Sequence, residues 1–299
     1  MSLHHSPLFD KMTGYIAELQ DRICAATEER DATRFRHDRW ERPGGGGGES
    51  RVIQNGTLLE KGGVNVSSVH GELSEEAASA LSVDSREFAA CGISLVLHPV
   101  SPRIPSIHMN LRYFELESGD AWFGGGTDLT PFYPHFEDFR HFHRTLQKAC
   151  EAAQPGSYRT YKEECDRYFY LPHRGEMRGV GGIFFDYLRE NPEHAFALVC
   201  SVGDSFLPSY LPIVDLRRDE PNEDADREFQ LFRRGRYAEF NLLYDRGTRF
   251  GLRTSGRVES ILMSLPPLLS YPYDYKPPAG SAAERMQECY QPQEWAPLE

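Results

Sequence analysis

The extended segments of this 299-residue chain follow one another closely in its first half, and this order constrains the fold more than any other feature. The stretch "RVIQNGTLLEKGGVNVSSVHG" places an Asn-Gly turn at 55–56 between two extended runs, which is typical of a β-hairpin. Further extended runs are predicted at 92–98 and 106–116. Neighbouring strands of this kind pair antiparallel, whereas a parallel sheet needs a long crossover between its strands. The sequence therefore predicts an antiparallel α+β fold.

Apolar residues at helical spacing predict helices around these strands. In the first of them, Met12, Ile16, Leu19 and Ile23 recur on one side of residues 8–30. The other predicted helices are 74–81, 135–153, 157–169, 193–207 and 222–234, and later extended stretches are 182–188, 236–245 and 248–254.

Alternation along the strands divides their side chains between two faces. In "SIHMNLRYFE", the apolar residues at 107, 109, 111 and 113 share one face, while His108, Asn110 and Arg112 share the other. Ser94, Val96 and His98 form a similar face at 92–98. Read as a strand, 236–245 would present Glu239, Asn241, Leu243 and Asp245 together. An ordinary exposed face would carry lysines, and none occurs at these positions, so a pocket floor and a solvated face both stay open.

The segment "WFGGGTDLTPFY", residues 122–133, places three glycines before Asp128. It lacks the lysine and hydroxyl of a P-loop and the spacing of a dinucleotide fingerprint. A carboxylate would also repel a phosphate. We interpret the segment as a loop, either a tight turn or a cover over another kind of ligand.

Composition excludes several classes of partner. A net charge of −12 argues against nucleic acid as a general partner. No uninterrupted apolar run approaches the ~18 residues of a membrane span, and no signal peptide or mitochondrial presequence is recognised. The six cysteines form no C-x-x-C pair, which favours reduced thiols in a cytoplasmic protein.

Arginines and histidines give two further hypotheses. Arg246, Arg249, Arg253 and Arg257, with Arg112 and Arg178, could bind a ligand that carries several carboxylates. His98, His108, His143 and His173 invite a metal hypothesis, but their spacing matches no short zinc signature, so a structural metal is not expected.

Five long motifs resemble one known family. They are "GGGGGESRVIQNGTLLEKGGVNVSSVHG", "GISLVLHPVSPRIPSIHMNLRYFE", "WFGGGTDLTPFY", "CDRYFYLPHRGEMRGVGGIFFDYL" and "YAEFNLLYDRGTRFGLRTSGRVESILMSLPP". In order along the chain, from about Phe35 to Tyr275, they are similar to the oxygen-dependent coproporphyrinogen III oxidases of haem biosynthesis. The resemblance implies a single domain, with an N-terminal helical segment at 1–34 and a C-terminal tail at 276–299. It also implies a large, mainly antiparallel sheet flanked by helices on both faces.

The same resemblance implies an activity. Two propionates of coproporphyrinogen III, on rings A and B, would be oxidatively decarboxylated to vinyls, giving protoporphyrinogen IX, CO2 and H2O2. Molecular oxygen would be the co-substrate, with no organic cofactor or metal required. The chain would act as a homodimer through the segment around Tyr237–Pro272.

Site residues follow from the matched motifs. His108 corresponds to the proposed proton donor, and Arg112, Asp128 and Asp245 have roles in proposed mechanisms. Asp245, with Asp128 as the second choice, would accept a pyrrole N–H bond. The substrate-binding positions are Ser94, Asn110, Leu111, Arg112, Ser255, Gly256 and Arg257, and the positions once assigned to metal are His98, His108, His143 and His173.

One position departs from the family pattern, and two other functions stay open. Ser255 stands where the family often has glycine, which makes it the weakest transferred position. A tetrapyrrole carrier would share the pocket without needing His108 and Asp245. A metal-dependent oxygenase built on the histidines would lose its activity with a chelator.

Overall fold

A computed structural model of the chain describes residues 5–253 and 256–296. Its helices are α1 (Pro7–Glu28), α2 (Glu75–Leu81), α3 (Phe136–Ala153), α4 (Ser157–Tyr168), α5 (Pro192–Asp204), α6 (Phe206–Arg217), α7 (Asp224–Leu243), α8 (Arg246–Arg253), α9 (Val258–Leu262) and α10 (Ala282–Cys289). Its strands are β1 (Arg36–Glu41), β2 (Gly46–Gln54), β3 (Leu59–Glu72), β4 (Glu87–Pro99), β5 (Ser106–Leu116), β6 (Ala121–Thr130), β7 (Tyr170–Leu171), β8 (Glu176–Met177) and β9 (Gly182–Leu188).

Seven strands form one sheet in the order β1-β2-β3-β4-β5-β6-β9, and each neighbouring pair is antiparallel. The predicted hairpin joins β2 to β3, with Asn55 in the left-handed region at φ 56°. Strands β7 and β8 pair separately as a short ribbon. The predicted antiparallel α+β fold is confirmed.

The two faces of the sheet differ in character. The core face carries apolar residues such as Ile93, Met109 and Leu111, which are fully buried against α1, α3, α5 and α6. We call the opposite side the polar face and define it by Ser94 and Val96 of β4, His108, Asn110 and Arg112 of β5, and Gly124, Gly126 and Asp128 of β6. Helices α7 and α9 lie on this side, so helices flank both faces.

Helix α1 shows how local sequence places an element on the core face. Ser6 caps its start by accepting a hydrogen bond from the Phe9 backbone N–H, and Pro7 occupies the first turn. Met12, Ile16, Leu19 and Ile23 then recur on one side and are at most 2% exposed. The stripe predicted from their spacing is the buried one.

Two sequence interpretations were wrong about local structure. Residues 236–245 are not a strand, because α7 continues to Leu243. Residues 237–241 are all buried, whereas a strand with one exposed face would alternate between buried and exposed positions. The stretch predicted as extended at 248–254 begins instead as α8, whose described residues end at Arg253.

The glycine-rich segment was also misread, since Gly124 to Gly126 lie in the middle of β6 and not in a loop. All three pair with β5 on one side, and Gly125 and Gly126 pair with β9 on the other. Glycine is needed for space: a Cβ on Gly124 would lie 2.6 Å from the Asp186 carboxylate and 2.7 Å from the Arg112 guanidinium.

One helical stretch, Pro192–Arg217, is long and apolar enough by composition to cross a membrane, but 56% of its apolar window is buried within the fold. Burial of this kind is what a core helix of a globular domain shows.

Candidate active site

Cross-strand register brings the predicted polar residues together on the polar face. Ser94 lies opposite Asn110, which lies opposite Gly126. One row along, Arg112 lies opposite Gly124, and in the other direction His108 lies opposite Asp128. The glycines of β6 leave this part of the floor flat beside the polar side chains of β5.

His108 and Asp128 belong to a hydrogen-bonded group that continues to Arg178. Asp128 Oδ1 accepts from His108 Nδ1 at 2.8 Å and from Arg178 Nη2 at 2.8 Å, and Oδ2 accepts from Arg178 Nε at 3.1 Å. Arg178 also donates to Asn241 of α7 at 2.6 Å. Burial alone would raise the pKa of Asp128, but the charge of Arg178 and the His108 bond hold that pKa below its usual range.

Arg112 has a different environment at the other end of the floor. Its Nη1 donates to Asn110 Oδ1 at 3.0 Å, and its Nη2 lies 2.7 Å from Asp186 of β9. The Arg112 side chain is 38% exposed, so its charge is accessible to a ligand. A half-exposed guanidinium with a fixed orientation is suited to a carboxylate.

A segment from the second half of the chain crosses the polar face. We call residues 246–264 the roof segment, of which 254–255 lie outside the described residues. Arg246 lies 3.4 Å from Asp186 of β9, at one edge of the sheet. Arg257 donates to Asp38 of β1 at 2.7 Å, at the opposite edge. The floor between these two anchors therefore has arginines at both ends.

Asp245 precedes the roof segment and is half-exposed. Its carboxylate accepts from the Tyr168 hydroxyl at 2.8 Å and from the Thr248 backbone N–H at 2.7 Å. The Tyr168 ring stacks on Phe184 of β9 at 4.1 Å. Burial, and then the Asp245 charge, raise the pKa of Tyr168 above its usual value, so that hydroxyl stays a hydrogen-bond donor.

The four histidines of the metal hypothesis each have separate partners. In His98, one ring nitrogen bonds to Ser106 and the other to the Ser264 carbonyl. In His143, the two partners are Tyr158 and the Val180 carbonyl. In His173, they are Glu239 and Tyr244. Within residues 5–253 and 256–296, no group of three or more His, Cys, Asp or Glu side chains is arranged to hold a metal ion.

The remaining predicted positions fall into three groups. The side chain of Leu111 is fully buried on the core face, so it points away from the floor. Gly256 and Arg257 lie in the roof segment, where the Gly256 N–H donates to the Gly251 carbonyl at 2.8 Å. Ser255 lies outside the described residues.

Sequence reasoning missed or misplaced three contributors. Arg178, grouped with the ligand-facing arginines, is only 2% exposed and bonds to Asp128 instead. Asp186 and Tyr168 were not predicted, although Asp186 is a single acidic residue in the apolar strand "IFFDYL" and could have been suspected. The partner of Tyr168 lies 77 residues away, and no local pattern signals it.

Comparison with known families identifies the chain. A family model described as coproporphyrinogen III oxidase matches residues 11–295, nearly the whole chain and every element of the site. The chain therefore belongs to the coproporphyrinogen III oxidase family.

Proposed function

We propose that this chain catalyses the oxygen-dependent decarboxylation of the ring A and ring B propionates of coproporphyrinogen III, giving protoporphyrinogen IX. The observation that carries the proposal is the floor formed by Ser94, Asn110 and Arg112 beside Gly124 and Gly126. It offers a flat surface for a macrocycle and a guanidinium for a carboxylate, under a roof segment that supplies further arginines.

The reaction is a two-electron oxidation at each propionate. A –CH2–CH2–COOH side chain and one O2 give –CH=CH2, CO2 and H2O2, so two O2 molecules serve the two rings. The reduced tetrapyrrole is electron-rich and can supply the electrons that a flavin or a metal supplies elsewhere. We therefore propose that neither an organic cofactor nor a metal is required.

Residue roles follow from accessibility. Arg112, with 38% of its side chain exposed, would hold the reacting carboxylate. Asp245 is the more accessible of the two predicted aspartates, so we assign it the pyrrole N–H bond, because Asp128 is only 1% exposed. Nε2 of His108, the ring nitrogen that is not bonded to Asp128, would first take up a proton and then pass it to the departing peroxide, which returns the ring to its Nδ1–H form.

The proposal includes assembly and location. We propose a homodimer through the segment around Tyr237–Pro272, which carries exposed apolar side chains such as Leu242, Leu252 and Leu268. A cytoplasmic location is supported by the six cysteines, all of which are free.

The deciding experiment is turnover by protein that has been purified anaerobically after chelation. Coproporphyrinogen III is added with and without oxygen, and vinyl porphyrin and CO2 are measured. We expect both products only with oxygen. Binding without turnover would favour a tetrapyrrole carrier, and activity that returns only with one added metal would favour a metal-dependent oxygenase.

A further inference from the structure

Arg178 is a fully enclosed charge directly behind the candidate active site. It is 2% exposed, and its guanidinium carbon lies 4.1, 4.4 and 4.9 Å from the ring centroids of Phe169, Tyr237 and Phe240. Bonds to Asp128 on one side and Asn241 on the other fix its orientation. A guanidinium in this position cannot bind a ligand that lies on the polar face.

Asp128 is enclosed in the same way. Both of its oxygens accept hydrogen bonds from Arg178, and Oδ1 also accepts from His108. A buried carboxylate with three charge-assisted or polar donors has little capacity left for substrate. Asp128 can therefore influence a ligand only through His108, by fixing the orientation of its ring and the position of its ring proton.

His108 is the member of the group that reaches the polar face, with its side chain 20% exposed. A carboxylate only accepts hydrogen bonds, so Nδ1 must carry a proton. Nε2 has no protein partner in the part of the chain that the structure describes, and it is the nitrogen left for a ligand. An edge contact with the Phe169 ring, 6.0 Å between centroids, restrains the imidazole further.

We propose that Arg178 and Asp128 are positioning residues, which hold the His108 imidazole as the Nδ1–H tautomer with Nε2 facing the substrate. Arg178 keeps Asp128 in place as an acceptor, and Asp128 in turn orients His108. A buried acceptor that fixes the tautomer of an acid–base histidine is a recurrent arrangement in enzymes. The kinetic part of this inference rests on the proposed function, whereas the tautomer itself does not.

The first test reads the tautomer directly, without any substrate. Nitrogen NMR of the full chain labelled in its histidines distinguishes Nδ1–H from Nε2–H, and His108→Gln identifies the signal. We expect wild-type His108 as Nδ1–H, and Asp128→Asn and Arg178→Met to shift it toward Nε2–H. A wild-type His108 in which Nε2 is protonated and Nδ1 is not, or variants with unchanged signals, would overturn the proposal even if the enzyme is fully active.

The second test separates positioning from stability by kinetics. For Arg178→Met we expect kcat per folded molecule to fall by about 100-fold, the scale of a misplaced acid–base group, with KM within about threefold. Arg234→Met is the matched control, because Arg234 is as deeply buried and pairs with Glu60. Its kcat is expected to stay within about threefold of wild type. Equal losses in both variants would assign Arg178 a structural role only.

A milder variant covers the case in which Arg178→Met does not fold. Asn241→Leu removes the acceptor of Arg178 Nη1 and touches neither Asp128 nor His108. We expect a smaller fall in kcat, a few-fold, together with partial loss of the Nδ1–H signal. A normal tautomer and normal kcat in this variant would contradict the proposal that Arg178 orients His108 through Asp128. Inactive wild-type protein with the expected tautomers would reject the proposed function and leave the positioning intact.

Discussion

At the scale of single residues, the face on which a side chain lies decides what it can do. His108, Asn110 and Arg112 were assigned to one face by alternation alone, and the register of β5 confirms that face. Alternation says nothing about long-range partners. Asp128 was predicted to reach a ligand, but Arg178, 50 residues further on, encloses it. We propose that burial by such a partner makes Asp128 a positioning group rather than a base.

Gly124 gives a prediction at this scale. A methyl group there would collide with the Arg112 guanidinium and the Asp186 carboxylate, whose ion pair at 2.7 Å occupies that space. In Gly124→Ala we expect Arg112 to be displaced and KM for coproporphyrinogen III to rise about tenfold or more. A lost charge-assisted hydrogen bond costs about 1.5–3 kcal/mol, and about 1.4 kcal/mol is a tenfold change. Steady-state kinetics measures this.

Gly14→Ala is the control for Gly124→Ala, because nothing lies within 4 Å of the added carbon in the middle of α1. We expect it to leave KM unchanged and to raise the free energy of unfolding by about 0.5–1 kcal/mol. A normal KM in Gly124→Ala would show that the position of Arg112 does not matter for substrate.

At the scale of elements, most helices and strands could be predicted because their signals are local. The stripe of α1 and the Asn-Gly turn between β2 and β3 are short-range patterns, and both are confirmed. The sequence prediction ended helix α7 at 234, because Gly235 and the apolar residues beyond it resemble the start of an extended run. A Cβ on Gly235 would lie 2.7 Å from the Ser270 carbonyl, so this glycine lets a segment 35 residues further along the chain pack closely against α7. Such a constraint cannot be seen locally.

His143 gives a prediction about acid stability, because it joins α3 to α4 and to the segment before β9. Burial lowers the pKa of His143 to about 3. The unfolded chain, with a histidine pKa of about 6.5, therefore binds a proton that the folded chain does not, between these two values. Stability is full above pH 6.5 and falls toward pH 3. Each such histidine contributes a slope of about 1.4 kcal/mol per pH unit.

In His143→Gln we expect the dependence of unfolding free energy on pH to become shallower by that amount between about pH 4 and 6. Urea denaturation at several pH values measures it. His98, whose pKa burial also lowers to about 3, should keep its own slope in the single variant. Adding a His98→Gln change should remove a second, equal slope. Identical profiles for wild type and His143→Gln would mean that the buried imidazole takes up a proton without unfolding.

The C-terminal residues give another prediction about an element. They were predicted as a C-terminal tail, and within it Met286 of α10 and the following Tyr290 are fully buried. The Tyr290 hydroxyl donates to the Pro131 carbonyl at 2.7 Å, and its own carbonyl accepts from Met177 N–H at 2.7 Å. We expect Tyr290→Ala to lower the free energy of unfolding by about 3–5 kcal/mol, as other large aromatic truncations do. Leu216→Ala, at a side chain 63% exposed, should change it by less than about 0.5 kcal/mol.

At the scale of the whole molecule, the exposed apolar residues are unevenly distributed. Leu242, Leu243, Leu252, Val258, Leu268 and Tyr271 are all more than 40% exposed and lie within the segment predicted to form a dimer. The same segment contains the roof over the polar face and the C-terminal end of α7. A partner on this surface would cover apolar side chains and restrain the roof segment at the same time. Assembly and catalysis would then depend on one stretch of chain.

This distribution predicts how the proposed dimer can be broken. In Leu242→Glu combined with Leu268→Glu, two charges would be buried without partners if the segment is the interface. Each costs at least about 1.5 kcal/mol, so we expect the dimer dissociation constant to rise by 100-fold or more. Leu216→Glu places a charge on α6, outside the segment, at a leucine that is more exposed than either of these, and should leave the dimer intact. Sedimentation equilibrium over a range of protein concentrations separates the species. A dimer that survives the double substitution would place the interface elsewhere, and a monomer with full turnover would show that the roof segment needs no partner to cover the site.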